Sequence, residues 1–342
     1  MSSSTDPVRQ RPYIVATARY IPPMCVRSDA ELRPPATAPS SAREAVMRSV
    51  YADTLRWSRE PGPGPGPNNH SPQRVPAATA AHVACEPALL LSEMASTVAR
   101  EAIRRGPGKG NSTLDQVIVC ATSFEHDLAL SCAGRLHSEL GAAGMPFAIG
   151  QLQGVSFFLA LQIVSDMMAS DECMRTALIV GAERWRPPFS RLAGSPAALG
   201  DGAAAVVVRQ HAGPGWHVLN VNVHTPCLLI APPDMYVDEM VVVEVIGQTC
   251  ARAGFKPGAI DWIVPPRIDA ALASRISAQA RLSGRMWYPE HDDTGYLCAA
   301  DAPAQFDALL QEIVPSEGQC ILLWSVGLQG QAACAILEYR GD

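Results

Sequence analysis

An α/β fold of two similar halves, with layered sheets and helices packed on both sides of them, is what the sequence predicts. Three observations lead there. Short apolar runs of strand length alternate with longer runs of helical spacing. A helix-then-strand pair over residues 89–121 has a counterpart over residues 237–264. At 342 residues, 48% hydrophobic and 18% charged, the chain is also long and apolar enough to bury a large core.

The elements follow in order. Residues 14–18 form a short apolar strand. Residues 89–105 carry apolar side chains at helical spacing and stop before Gly106-Pro107-Gly108, a breaker sequence. Residues 115–121, Asp-Gln-Val-Ile-Val-Cys-Ala, read as a buried strand. Residues 131–140 are helical and end at Gly141, and residues 157–169 make a long apolar helix. Strands are predicted over 176–181, 203–209 and 216–224. In the second half, residues 237–253 are a helix ending near Gly254, and 260–264 a buried strand closed by Pro265-Pro266. Helices over 270–282 and 302–313 and strands over 319–324 and 331–338 complete the chain. One segment resists any element. Residues 58–80 begin with Glu60-Pro61-Gly62-Pro63-Gly64-Pro65-Gly66-Pro67, where proline removes hydrogen-bond donors and glycine costs entropy, so a mobile surface loop is expected.

Composition excludes several classes. A net charge of -6 argues against a nucleic-acid binder, and the proportion of apolar residues against intrinsic disorder. No apolar stretch approaches the ~20 residues of a membrane span. The first ten residues are polar and carry no signal-peptide core. Ten cysteines stand singly, none in a CxxC pair, as expected of reduced thiols in a cytoplasmic protein with neither a disulfide frame nor a zinc site. No metal or cofactor is expected.

Several collinear stretches resemble the β-ketoacyl-acyl-carrier-protein synthase III family of the thiolase superfamily. Ala18-Arg19-Tyr20-Ile21-Pro22 is similar to its opening strand, and Leu178-Ile179-Val180-Gly181-Ala182-Glu183 to the strand after its nucleophile helix. Leu199-Gly200-Asp201-Gly202-Ala203-Ala204-Ala205-Val206 carries its most specific signature. Asp261-Trp262-Ile263-Val264-Pro265 resembles the strand leading to its catalytic histidine. Gly295 to Pro303 and Ser325-Val326-Gly327-Leu328-Gln329-Gly330 resemble its last two glycine loops. The resemblance implies a thiolase-like fold in an α-β-α-β-α arrangement, its halves spanning residues 1–210 and 211–342.

The family's chemistry needs a cysteine thiolate at a helix N-terminus, with a histidine and an asparagine forming an oxyanion site. The resemblance places these at Gly154, three residues before Phe157, at Pro266, directly after Pro265, and at Tyr296, directly after Gly295. None of the three can do the work. Tyr296 is bulky enough to fill the space the lost groups would line. Asp269 stands for a further asparagine of the second loop. Gly200, Asp201 and Gly202 are expected to be scaffold, and Arg184, Trp185 and Arg186 to lie where basic residues meet phosphates of coenzyme A or a carrier protein.

The sequence therefore predicts a degenerate ketosynthase III-like subunit. It would pair with an active homologous synthase, or with itself, in fatty-acid-like or polyketide-like secondary metabolism. Two alternatives stay open. One is an acyltransferase or cyclisation enzyme acting on acyl thioesters through His126, Asp269, Tyr296 or Cys298. The other is a binding protein for acyl-coenzyme A or acyl carrier protein. Cys132 and Ser156, each at the start of a helix, are expected to be structural, with Ser156 serving the helix N-terminus. His291 with Asp292 and Asp293 reads as a solvated turn.

Overall fold

The computed structural model describes residues 11–28, 82–106, 114–125, 130–186, 191, 197–210, 213–226, 236–288 and 293–341. The proline-glycine segment over 58–80, His126 and His291 lie outside the described residues.

The first half contains β1 (Tyr13–Tyr20), β2 (Cys25–Arg27), β3 (His82–Ala84), α1 (Leu91–Arg105), β4 (Gln116–Ala121), α2 (Cys132–Leu140), β5 (Phe147–Gly150), α3 (Val155–Ser170), β6 (Thr176–Glu183) and β7 (Gly202–Arg209). The second contains β8 (Gly215–His224), α4 (Glu239–Ala253), β9 (Trp262–Val264), α5 (Ala270–Gln279), β10 (Arg285–Met286), α6 (Asp301–Glu312), β11 (Cys320–Val326) and β12 (Ala332–Arg340). Strands β2 and β3 pair as a separate small ribbon.

The remaining strands run β10-β9-β11-β12-β8-β1-β7-β6-β4-β5. Strands β8 and β1 share only the pairs Tyr13–His217 and Ile14–Trp216, so the array divides there into two units. Each unit then shows the same order: its first strand, then its fifth, fourth, second and third. The pairing sense repeats as well. β4 is parallel to β5 and β6, and β9 is parallel to β10 and β11. The β1–β7, β6–β7, β8–β12 and β11–β12 pairs are antiparallel. One five-stranded plan, used twice, gives two halves of one kind.

Three apolar layers hold the units. α1 and α2 cover the outer face of the first sheet through Leu91, Met94, Val98 and Leu136 against Val117, Val119, Leu178 and Val180. α4 and α5 cover the outer face of the second through Val242, Ile246, Leu272 and Ile276 against Leu322, Trp324 and Ile336. Between the sheets lie α3 and α6. Helix α3 touches β4, β5 and β6 of one unit and β8 and β12 of the other, and α6 touches β1 and β7 on one side and β9 and β11 on the other. A helix packed between two sheets needs an apolar surface on both sides. α3 has one: Val155, Phe157, Phe158, Leu161, Val164 and Met168 are all buried, and the polar Asp166 and Ser170 near its end are exposed.

Helix ends follow their chemistry. Asp238 caps α4 through the N–H groups of Met240 and Val241, and Gly254 ends it in the left-handed region at φ 80°. Three acidic side chains serve the start of α1. Glu86 accepts from the N–H groups of Ala88 and Leu89, Glu93 from Leu90, and Glu125 from Ser92. The observed boundaries move the predicted starts of α1 and α4 to 91 and 239 and the end of α5 to 279.

Candidate functional site at the start of the central helix

Helix α3 begins at Gly154, and the turn leading into it is strained. Gln151 and Gln153 both have left-handed backbones, at φ 65° and 46°. Such conformations persist where neighbours over-determine them. Here Gln151 Nε2 donates to the Thr122 carbonyl at 3.0 Å, and Gln153 Oε1 accepts from the Leu328 N–H at 3.1 Å.

Tyr296 meets this turn from the second half of the chain. Its backbone is pinned between Ala198, whose carbonyl accepts its N–H, and Gly200, whose N–H donates to its carbonyl. The ring is fully buried. Its hydroxyl accepts from the Gly154 N–H at 3.1 Å and donates to the Val326 carbonyl at 2.9 Å, with Ser325 Oγ 3.5 Å away. The positive end of α3 thus faces a neutral phenol, and burial pushes the Tyr296 pKa further above the ordinary tyrosine range. A Cβ at position 154 would overlap both the Tyr296 hydroxyl and Ser325 Oγ. Only glycine fits there.

Pro266 lies in the buried turn after β9. That turn is tied to the Tyr296 loop by two residues not singled out in the sequence. Asp301 accepts from the Arg267 N–H at 3.0 Å. Gln305 Nε2 bridges the Pro265 carbonyl and Asp301 at 2.6 and 2.9 Å. Their i, i+4 spacing at the start of an apolar helix was the available signal.

The other candidates are dispersed. Asp269 is exposed and accepts from the Leu272 N–H at 2.8 Å, capping α5. Replacing Asp269 with Ala is expected to lower stability by about 1 kcal/mol, the worth of a cap, measurable by urea denaturation. Cys298 is buried with a left-handed backbone at φ 43°, and burial, Glu183 and Asp301 together drive its thiol pKa far up. Cys132 opens α2, but burial and Glu125 push its thiol up to about 12, which disfavours a thiolate. The expectation for Ser156 needs correcting: Gly154 is the N-cap of α3, and the buried Ser156 Oγ has no partner among the described residues.

Asp201 sits at the centre of a buried knot. Its Oδ1 accepts from the Trp185 N–H and Arg191 Nη1, and its Oδ2 from the Glu86 N–H and Arg191 Nη2, all at 2.7–2.9 Å. Gly200 and Gly202 let this loop pass close to its neighbours. A Cβ on Gly200 would strike the Thr294 carbonyl, and one on Gly202 would press on Leu297. Trp185 packs into the second-half core. Arg186 donates to the Pro87 carbonyl at 2.8 Å, and Arg184 is buried.

Glu183, at the end of β6, was also invisible as a functional carboxylate. It is fully buried and accepts from the N–H groups of Thr122, Ser123 and Ala299 at 2.7–3.1 Å. Burial outweighs these bonds and raises its pKa to about 7 from 4.5. A raised folded-state value favours folding fully below the unfolded pKa, and that contribution is lost as pH rises through about 7. Wild type should therefore lose stability relative to Glu183→Gln between about pH 4.5 and 7, by on the order of 3 kcal/mol. Parallel urea-denaturation curves of the two proteins across that range would sink this assignment.

Residues 151–226, from the strained turn through α3, β6 and β7 to the end of β8, match the family model of 3-oxoacyl-[acyl-carrier-protein (ACP)] synthase III. Solved structures share the fold over nearly the whole chain. ChlB3, described as an acyltransferase, is 17% identical with a TM-score of 0.68, covering 97% of this chain and 98% of its own. The 3-oxoacyl-(acyl carrier protein) synthase III FabH of Pseudomonas aeruginosa is 17% identical with a TM-score of 0.65, covering 96% and 98%. A variant of Xanthomonas campestris OleA is 14% identical with a TM-score of 0.66, covering 97% and 99%. The fold is the one that these synthase III and acyltransferase structures share. The chain is similar to β-ketoacyl-acyl-carrier-protein synthase III in fold, and over residues 151–226 in sequence. Among the described residues, no helix is long and apolar enough to cross a membrane.

Proposed function

We propose that this chain is a ketosynthase III-like subunit that does not itself condense acyl thioesters, and that it pairs with an intact homologous synthase in fatty-acid-like or polyketide-like secondary metabolism. The observation that carries this reading is the Tyr296 hydroxyl bonded to the Gly154 N–H at the head of α3. In the resembled enzymes a thiolate occupies that position. Here the helix end already has its acceptor, and the space for a side chain is filled. Pro266, where a histidine would stand, offers no side-chain donor.

Pairing has support of its own. Strand β5 ends the long sheet, and residues 145–150, Met-Pro-Phe-Ala-Ile-Gly, carry no charge. Met145 is 84% exposed. Edge strands that stay apart usually carry charges or are covered, and this one is suited to strand pairing. On this reading the partially exposed Arg186 meets a phosphate of coenzyme A or of an acyl carrier protein.

An acyltransferase or cyclisation enzyme finds less support in these positions, because Cys298 is sealed and protonated and Asp269 caps a helix. The test is intact-mass spectrometry after incubation with acyl-coenzyme A, together with co-expression beside a synthase that retains its cysteine. The expected result is no acyl adduct on this chain and a heterodimer on co-purification. A covalent acyl group on this chain, or turnover by it alone, overturns the reading. Thermal stabilisation by acyl-coenzyme A without pairing would favour a binding protein instead.

A further inference from the structure

Arg184 is a buried cation whose Nε has no acceptor among the described residues. The residue is 3% exposed, and its backbone N–H donates to Ser123 Oγ at 2.8 Å. Its side chain makes no hydrogen bond or ion pair with any described residue, and Nε is enclosed without an acceptor. The indole N–H of the next residue, Trp185, is likewise buried without one.

The nearby carboxylates serve other groups. Glu86 accepts from Tyr20 Oη and from the N–H groups of Ala88 and Leu89. Both oxygens of Asp201 hold Arg191 and backbone N–H groups, and Glu125 Oε2 holds the Ser92 N–H. Burial lowers the Arg184 pKa, the like charge of Arg186 adds to this, and Asp201, Glu125 and Glu86 offset them only in part. Burying a cation without acceptors is expensive. Such violations of local rules in a folded chain mark sites kept for a ligand. The position agrees. Arg184 directly follows β6 and lies beside Ser123, two residues past its parallel neighbour β4. Ligands of α/β sheets collect at these carboxyl ends.

We propose that Arg184 anchors a binding site for a compact carboxylate, held by the planar fork of the guanidinium at the carboxyl ends of β4 and β6. The fork matches the two oxygens of a carboxylate, and a residue only 3% exposed leaves more room for a small group than for a diphosphate. Arg186, already bonded to Pro87, is not part of it. The assignment stands whether or not the chain condenses thioesters.

The experiment is thermal unfolding of the full chain in chloride, acetate and phosphate at equal ionic strength and pH 7.5, for wild type, Arg184→Met, Arg184→Lys and Arg186→Met. Acetate should raise the wild-type Tm above chloride by on the order of 2 °C. Arg184→Met should abolish that difference, and Arg186→Met should keep it. Arg184→Lys retains the charge without the fork and should lose most of the response, so it carries the test if Arg184→Met does not fold. An acetate response unchanged by either Arg184 substitution, or absent from wild type, overturns the site. Phosphate matching acetate in wild type overturns its carboxylate specificity.

Discussion

Gly154→Cys, the substitution that would put a thiol back at the head of α3, is expected to damage the protein and restore nothing. Its Cβ would enter space held by the Tyr296 hydroxyl and Ser325 Oγ. Neither yields freely. The phenol oxygen is fixed by the Gly154 N–H and the Val326 carbonyl, and both side chains are fully buried. Overpacking of a rigid core costs about 1–3 kcal/mol, and this site falls at the upper end because a hydrogen-bonded ring must move. Tyr296→Asn alone should cost a similar amount by opening a cavity and freeing the Val326 carbonyl. The double variant should be more stable than the sum of the two changes predicts, by at least 1 kcal/mol as an order of magnitude for coupled neighbours. Urea denaturation of the four proteins measures this coupling. Additive effects would mean that residues 154 and 296 do not compete for one space. Iodoacetamide labelling adds a second readout: the new thiol should react in the double variant and stay inert in the single one.

The sequence announced this competition through size and position, because a resemblance placed a bulky tyrosine and a side-chain-free glycine in one site. Other parts of the fold were legible for simpler reasons. The apolar run of α3, the buried strands β4, β6 and β11, and the glycine stops at 141 and 254 all express periodicities or breakers that belong to one segment. What escaped depends on distant partners. β2 and β3 are three-residue strands whose pairing joins Val26 to Val83. β5 and β10 are short edge strands with too few residues to show an alternation. Glu183 closes an apolar strand and reads as its polar end. Its burial follows from the approach of the Ala299 turn, more than a hundred residues later. Asp201 stood out in its glycine-flanked loop, but nothing marked Arg191 as its counter-ion, since the sequence around it, Ser190-Arg191-Leu192, has no distinguishing pattern.

That pair gives the largest stability effect expected in the molecule. Arg191 and Asp201 are both wholly buried and joined by two parallel hydrogen bonds of 2.9 and 2.8 Å. Removing one partner of such a pair typically costs about 3–5 kcal/mol, because the other charge stays in the interior without its counter-charge. Asp201→Ala should reach this range by urea denaturation. Arg191 would keep the carbonyls of Leu199 and Trp185, but both of its hydrogen bonds to the Asp201 carboxylate would be lost. A hydrophobic replacement of both partners, Arg191→Met with Asp201→Leu, should recover part of the loss, since the interior then holds neither charge. It should not recover all of it. Asp201 also accepts the N–H groups of Glu86 and Trp185, and each would be left without an acceptor at about 1–3 kcal/mol. The residual deficit of the double variant therefore measures how far Asp201 acts as a tie between the β3, β6 and β7 loops. Full recovery would reduce it to a counter-ion, and the glycines on either side would then need another reason for bringing three loops together at this point.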